Sequence, residues 1–362
     1  MAHAYTGGSA VRNTHTILDD GDAASAARFN GPYQSLIDQT AWLLRTLIAN
    51  YQGVAIGAGA VGEYVLDVAA GKDSSGVECF VAIADEPSTA NHLRAISYDG
   101  VRWSAAQLAF SARMRGVAFD DGLDVWVIVG ENSGGDALIL SATDPAGTWT
   151  ERGNPQDAAL HAVAASGSSL FVAVGESDGS DGYIVSSTDG STWTERSATV
   201  NYALYDVIFA NSLWVAVGGS GSTAIILTSP DGTTWTSRSN SGTEIIRAVA
   251  WNGNVFVTLG DDGQVMTSSN GTTWTVRTGL TTGTSGVPAA LAADPTYGVI
   301  VCHGSAIEGL QVSFDDGVTF SNIARVGRQA GLAQLTPWAL RFCNGRFVLC
   351  GNYCELAVSL RR

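Results

Sequence analysis

The stretch Ser187-Thr188-Asp189-Gly190-Ser191-Thr192-Trp193-Thr194-Glu195-Arg196 is repeated along this chain. Ser229–Arg238 and Ser268–Arg277 are close copies, and Ser97–Trp103, Ser141–Trp149 and Ser313–Phe320 are looser ones. The aromatic residue that ends the common part stands at positions 103, 149, 193, 235, 274 and 320, so successive copies are 46, 44, 42, 39 and 46 residues apart. The chain is therefore built from repeated units of similar length.

Each copy predicts a tight turn between two strands. Glycine after Asp or Asn accepts a positive φ without steric cost, and a short Asp or Ser side chain can bond backbone N–H groups inside the turn. The aromatic ring on the outgoing strand is expected to be buried between neighbouring sheets. Short strands that repeat about every 40 to 45 residues indicate a β-propeller.

The repeated phrase resembles the Asp-box, S/T-x-D-x-G-x-x-W/F, of sialidase-type (BNR) propellers. Ser313–Phe320 matches it at full length, the three copies that begin at Ser187, Ser229 and Ser268 are one residue shorter, and the Asp144 copy is irregular because of Pro145. The resemblance implies a structural role for twelve residues. They are Asp99, Asp144, Asp189, Asp231, Asn270 and Asp315, with Trp103, Trp149, Trp193, Trp235, Trp274 and Phe320.

The repeats predict an all-β fold with seven blades, six being the alternative. Sets of three strands can be assigned at about 63–99, 114–144, 160–189, 203–231, 245–270, 288–315 and 337–360. The last set ends before a fourth strand, whereas residues 53–59 form a spare strand before the first set. We expect this strand to complete the last blade, because pairing the two ends removes exposed sheet edges. The propeller domain is thus 53–362.

Composition limits the function classes. The net charge is −15, with 19 basic residues in 362, and such a surface repels phosphate backbones, so no nucleic-acid partner is expected. No apolar run is long enough to span a membrane, and no secretory signal pattern is present. The five cysteines are expected to be buried thiols, although Cys350 and Cys354 could pair. The histidines are scattered, so neither a metal site nor a cofactor is predicted.

Residues 1–31 are polar and aperiodic, and we interpret them as an extended attachment arm. An amphipathic helix is predicted over 32–51, either packed on the propeller or associated with its symmetry mates, a trimer being favoured. The apolar stripe that would dock or oligomerise consists of Tyr33, Ile37, Leu44, Leu47 and Tyr51.

The segments 19–30 and 36–44 resemble the start of tailed-bacteriophage virion proteins, with the pattern "D-x-G-D-x-x-T/S-A-x-x-x-N" followed by "L-x-D-x-T-x-x-L". Asp38 and Thr40 match the Asp and Thr of the second pattern. The resemblance implies a tail or fibre protein located in the virion, whose N-terminus docks on other virion proteins.

Catalysis is not predicted. The Arg-Ile-Pro motif of sialidases is absent, and no spacing selects the two carboxylates that glycoside hydrolysis needs. Acids between second and third strands are expected to surround one mouth of the propeller. They are Glu131, Asp136, Glu176, Asp178, Asp181, Asp261, Asp262, Glu308 and Glu355. We expect a virion protein whose mouth binds a host surface protein or glycan. The alternatives are a bacterial extracellular glycan-binding or scaffold propeller, and a glycoside hydrolase.

Overall fold

The computed structural model describes residues 54–55, 64–86, 91–100, 102–110, 112–177, 179, 181–198, 200–277, 280, 290–303, 310–324, 337–351 and 355–358. The predicted arm and helix, with Tyr33, Ile37, Leu44, Leu47 and Tyr51, lie outside these residues. Apart from one 3-10 turn, the regular secondary structure of the described part consists of β-strands, which form seven four-stranded antiparallel sheets. The all-β propeller fold is confirmed.

The sheets follow one another along the chain. Blade 1 has strands β2 (Tyr64–Lys72), β3 (Glu78–Glu86), β4 (Asn91–Ser97) and β5 (Ser104–Leu108). Blade 2 has β6 (Ala112–Asp120), β7 (Val125–Asn132), β8 (Ala137–Ala142) and β9 (Thr150–Glu151). Blade 3 has β10 (Leu160–Ala165), β11 (Phe171–Ser177), β12 (Gly182–Ser187) and β13 (Thr194–Ser197). Blade 4 has β14 (Leu204–Ala210), β15 (Leu213–Ser220), β16 (Thr223–Ser229) and β17 (Thr236–Ser237).

The remaining blades repeat this order, with one exception at the end. Blade 5 has β18 (Ile246–Trp251), β19 (Phe256–Gly260), a 3-10 turn (Asp261–Gly263), β20 (Val265–Ser268) and β21 (Thr275–Arg277). Blade 6 has β22 (Ala290–Asp294), β23 (Val299–His303), β24 (Leu310–Ser313) and β25 (Ser321–Ala324). Blade 7 has β26 (Pro337–Cys343), β27 (Arg346–Gly351) and β28 (Glu355–Val358), with β1 (Val54–Ala55) as its outermost strand.

The blades form a closed ring. The innermost strands β2, β6, β10, β14, β18, β22 and β26 contact one another in that order, and β26 contacts β2. Blade 7 is completed by pairing between the two ends of the propeller, with Val54 opposite Leu356 and Ala55 opposite Glu355. Closure of this kind leaves no long sheet edge exposed to other chains.

The repeated turns, which we call box turns, share one hydrogen-bond pattern. In blade 4 the Ser229 hydroxyl accepts the N–H of Gly232 at 2.8 Å, and Asp231 accepts the N–H groups of Thr233 and Thr234 at 2.9 and 2.8 Å. The turn glycine has a positive φ in five copies: Gly100 71°, Gly190 68°, Gly232 69°, Gly271 71° and Gly317 77°. In the irregular Asp144 copy the Gly147 N–H donates to the Asp144 carbonyl oxygen at 3.0 Å, and the Arg94 guanidinium of blade 1 donates to the Pro145 and Ala146 carbonyls. The turn chemistry that the sequence predicted is therefore present.

The box tryptophans fill the gaps between blades, as expected. Trp193 belongs to the same apolar cluster as Val127 and Ile139 of blade 2, and Trp235 to the same cluster as Val172 of blade 3. Trp149, Trp193, Trp235 and Trp274 are each at most 7% exposed. Burial of an indole ring against the preceding blade removes a large apolar surface from water and so stabilises the contact between adjacent blades.

The box arginines and the cysteines have structural positions. The Nε atoms of Arg152, Arg196, Arg238 and Arg277 each donate to a Ser or Thr hydroxyl on the third strand of the same blade, at 2.8, 2.9, 2.6 and 2.8 Å. Cys79 and Cys302 are buried free thiols, Cys350 is buried, and Cys343 is half-buried. Cys354 lies outside the described residues, so its pairing with Cys350 stays a prediction.

The ring axis is crossed by an ion pair that links three blades. Arg341 of β26 donates through Nε to the Asp67 carboxylate of β2 at 2.7 Å, and its Nη2 lies 3.9 Å from Asp206 of β14. The two carboxylates also accept backbone N–H groups of the next blade, Asp67 from Val117 and Asp206 from Val249. This pairing, which we call the axial bridge (Asp67, Arg341 and Asp206), lies in the lining of a cavity of about 490 Å³ that all seven inner strands enclose.

Candidate functional site

A β-bulge opens the first strand of several blades at the same place. The pairing between the first and second strands slips by one residue in blades 1 to 5 and in blade 7, after the first, second or third paired residue, and leaves one extra residue each time. In four consecutive blades this residue is polar or aromatic: Arg115, His161, Tyr205 and Arg247. A bulge re-aims its side chain out of the sheet alternation, and bulges are common beside functional sites. We call these four residues the bulge row and their side of the ring the bulge face.

Three members of the bulge row, Arg115, His161 and Arg247, each pair with an acid at or just after the end of the second strand of their own blade. Arg115 lies 3.0 Å from Glu131, which is also 3.5 Å from Arg113. Arg247 holds both oxygens of Asp261, through Nε and Nη2 at 3.0 Å each. His161 Nε2 lies 3.0 Å from Glu176. Paired guanidinium N–H groups of this kind fix the geometry of a carboxylate as well as its charge.

Stacking joins three blades across the bulge row. The rings of His161 and Tyr205 are parallel within 5°, with centroids 5.0 Å apart. The Arg247 guanidinium carbon lies 4.2 Å from the centroid of Tyr205, a cation–π distance. The side chains of blades 3, 4 and 5 are thus held as one continuous polar and aromatic surface.

The hydrogen bonds of His161 determine its donor pattern. Its Nδ1 lies 2.9 Å from the Leu204 carbonyl oxygen, which only accepts, so Nδ1 donates. Its Nε2 faces the Glu176 carboxylate, also an acceptor when ionised. Both contacts are hydrogen bonds together only when the imidazole carries a proton on each nitrogen.

The local charges act on Glu176 and Arg247. The hydrogen bond from His161 is the main reason why the pKa of Glu176 is lowered, and the positive charges of His161, Arg115 and Arg247 add to the effect against partial burial. Burial by itself would lower the pKa of Arg247, but the hydrogen bonds and charge of Asp261 outweigh it and raise that pKa. Glu176 is therefore held as a carboxylate.

The predicted acids fall into three groups. Glu131, Glu176 and Asp261 belong to the network, so the mouth carries alternating charges where the sequence predicted an acidic ring. Asp136 accepts from the Asn132 amide at 2.9 Å and closes its own hairpin, and Asp181 accepts from Ser197 at 2.7 Å. For the other four the side chains lie outside the described part: Asp178, Asp262, Glu308 and Glu355.

Reasoning from the sequence missed the bulge row itself. The signal was present, because each member follows a buried apolar residue and precedes a small residue or Asp and then Val. The four segments are Met114–Val117, Leu160–Val163, Leu204–Val207 and Ile246–Val249. The second residue of each segment therefore differs from blade to blade on a backbone that repeats, which is typical of a position that carries specificity.

Other ligand chemistry finds little support in the described ranges. Within them, no group of three or more His, Cys, Asp or Glu side chains is arranged to hold a metal ion. No helix there has the length and apolar character that a membrane span requires.

Comparison with known proteins places the fold. No family profile matches the sequence, and no curated relative does. Solved structures do match: YCF48 bound to D1 peptide (TM-score 0.62, 17% identity, 86% of this chain and 96% of that chain) and YCF48 from Cyanidioschyzon merolae (0.59, 15%, 86% and 99%). Virginiamycin B lyase from Staphylococcus aureus matches with a TM-score of 0.61 at 9% identity over 85% of this chain and 98% of that chain.

At these identities the likeness establishes the propeller fold alone. One neighbour is described with a bound peptide and another as a lyase, so the scaffold serves both binding proteins and enzymes. The function of this chain must be argued from its own bulge face.

Proposed function

We propose that this chain is a non-catalytic binding module whose bulge face holds a segment of a partner protein. The proposal depends on one observation, the network of Arg115, His161, Tyr205 and Arg247 with its three acids on four consecutive blades. The side chains of Arg113, Arg115 and Glu176 are 64%, 35% and 50% exposed, so donors and acceptors reach solvent. A rigid scaffold that presents varied polar side chains at one place is typical of recognition sites.

The electrostatics favour binding over hydrolysis. A glycosidase needs one carboxylic acid that keeps its proton near neutral pH, which requires a raised pKa. The pKa of Glu176 is lowered. Glu131 and Asp261 are both engaged by arginines. Glu176 is therefore unsuited to the role of the protonated acid that the glycoside-hydrolase alternative requires.

The place of the protein is proposed from the N-terminal resemblance. We propose a structural virion protein of a tailed bacteriophage, in which residues 1–31 dock on other virion proteins, helix 32–51 forms a homotrimer, and the propeller contacts the host surface. A bacterial extracellular scaffold or glycan-binding propeller is the rival proposal. The YCF48 structure with a bound peptide supports the choice of a protein partner, since it has the same fold.

Binding can be tested with arrays of host-surface peptides and glycans probed with the full chain. We expect peptide binding that Tyr205→Ala and Arg247→Gln weaken at least tenfold. Asp136→Asn, a change of charge in a neighbouring hairpin, is the matched control and should bind like wild type. Equal binding by all variants would refute the site, and binding to glycans alone would refute the protein partner.

Assembly can be tested separately by light scattering on the full chain and on a version without residues 1–50. We expect a trimer and a folded monomer, respectively. A truncated form that remains trimeric would show that the helix is not the assembly element.

A further inference from the structure

The three acids of the bulge face are held very differently. Glu131 is 16% exposed and lies between two arginines, and Asp261 is 24% exposed and receives two hydrogen bonds from one guanidinium. Glu176 is 50% exposed, and the partner that binds it directly is the His161 ring. Glu176 is thus the acid whose side chain can leave the network at the smallest cost.

The backbone at Glu176 would not have to move for this to happen. Its N–H donates to the Ala159 carbonyl at 2.9 Å, which fixes the main chain at the end of β11. Rotation about side-chain bonds is then sufficient to move the carboxylate from His161 into solvent, and such rotations are fast.

If the Glu176 carboxylate moves away, His161 loses its acceptor and another anion can take that place. The His161 side chain is only 6% exposed, and its Nδ1 is already used by the Leu204 carbonyl. Its Nε2 points to the place that the Glu176 carboxylate occupies. Arg115 and Arg247 also direct positive charge there, since both lower the pKa of Glu176. The Nε2 atom of His161 and the charges of the two guanidinium groups therefore favour a carboxylate at this place.

We propose that Glu176 occupies, in the free protein, the place that a carboxylate of the bound partner takes. In the free protein the Glu176 carboxylate fills the site next to His161, and the carboxylate of the partner displaces it. The partner's carboxylate takes over the hydrogen bond that Glu176 made to His161, so only a segment with a carboxylate can displace Glu176. Because the bond to Glu176 must be broken first, the free energy gained on binding is smaller than it would be at an empty site. This inference rests on the proposed binding function and adds the chemistry that the partner must carry.

The test compares wild type with Glu176→Gln, which keeps the shape of the side chain and removes its charge. The probes are a short glycine-rich peptide with one central aspartate and blocked ends, its asparagine analogue, an all-glycine peptide with a free C-terminus, and tri-galacturonate. Binding is followed by NMR through the His161 ring resonances. Asp181→Asn, which removes one acid from the same blade outside the network, is the control variant.

We expect Glu176→Gln to bind the aspartate peptide at least tenfold more tightly than wild type and Asp181→Asn do, and the asparagine analogue to gain nothing. Tighter binding of the free C-terminus alone would assign the site to a chain end and would equally support the exchange. Equal or weaker binding of the aspartate and C-terminal probes by Glu176→Gln overturns the proposal. Binding of tri-galacturonate alone overturns the protein partner.

The two proposals fail in different ways. If Tyr205→Ala leaves peptide binding on the arrays intact, the binding function is wrong whatever Glu176→Gln does. If Tyr205→Ala abolishes that binding while Glu176→Gln gains no affinity, the site stands and the exchange is wrong. Unchanged near-ultraviolet circular dichroism of Glu176→Gln, and the same affinities for Glu176→Ala, would show that folding does not decide the result.

Discussion

Replacing Arg341 by Met should destabilise the propeller by about 3–5 kcal/mol at neutral pH, the usual cost of removing one partner of a buried ion pair. The substitution keeps much of the side-chain volume, so it leaves little new cavity. It removes the cation from the axial bridge, in which Asp67 and Asp206 have side chains only 3% and 6% exposed. Both carboxylates would then be left on the ring axis with backbone N–H partners alone.

The magnitude follows from the geometry. At 2.7 Å the attraction between Arg341 and Asp67 is roughly 6 kcal/mol at an effective dielectric constant of about 20. The substitution also removes the free-energy cost of burying the charged guanidinium, and this offsets part of the lost attraction. The difference is the expected net loss of stability.

The pH dependence gives a second observable. Burial raises the pKa of Asp206, and Arg341 counteracts that rise. Without Arg341 the carboxyl binds its proton at higher pH in the folded state, and a group whose folded pKa is raised stabilises the fold as pH falls. The deficit of Arg341→Met should therefore shrink as pH falls from 7 towards the acid range.

Urea unfolding followed by tryptophan fluorescence would measure this prediction at pH 7 and pH 4.5. Asp67→Asn and the double variant complete a thermodynamic cycle, in which the two single changes should not be additive because they share one contact. A loss below about 1 kcal/mol, or the same loss at both pH values, would refute the reasoning.

Three further predictions concern the blades. Gly271→Ala should cost more than Gly76→Ala in unfolding free energy, by about 1 kcal/mol or more, because both have positive φ but only the first Cβ would meet a side chain of the preceding blade; equal losses in urea unfolding would contradict this. Asp231→Asn should keep the box turn, as Asn270 does in blade 5, and should flatten the acid limb of the stability curve. Backbone hydrogen bonds lower the pKa of Asp231 in the folded state. Its contribution to stability is therefore fully present above the ordinary Asp pKa and is lost as the pH falls through the pKa of the folded state. An acid limb that Asp231→Asn leaves unchanged would contradict this prediction. Cys79, whose pKa burial raises to about 12, should resist iodoacetamide at pH 8 until the chain unfolds, as peptide mass mapping would show; labelling of the native protein would contradict its burial.

The blade could be predicted because its signals are local. Ser229, Asp231 and Gly232 are close in sequence, and the turn they form depends on their own hydroxyl, carboxylate and φ preference. The spacing of the aromatic residues then indicated how often the blade recurs. Repetition reinforced each weak local signal, which is why the architecture was clear without coordinates.

The site was harder to predict because bulges are not visible in hydrophobic alternation. His161 and Arg247 stand in short first strands whose alternation gives no sign of the extra residue. The sequence predicted loop positions for Glu131 and Glu176, whereas the structure places them near the ends of strands β7 and β11. Their partners Arg115 and His161 were not predicted, so the mixed charge of the mouth was not predicted either.

The sequence by itself determined the repeated unit, its Asp-Gly turn and its buried tryptophan, because these depend on contacts within a few residues. Only the tertiary structure decided what meets at the ring axis and on the bulge face. Closing the ring brings β26 next to β2 and sets side chains of different blades in contact, although they are 40 or more residues apart in sequence, as His161 and Tyr205 are. Ring closure therefore set the partners of Arg341 on the axis and the stacking partners of Tyr205, whereas the acids of the bulge face pair within their own blades.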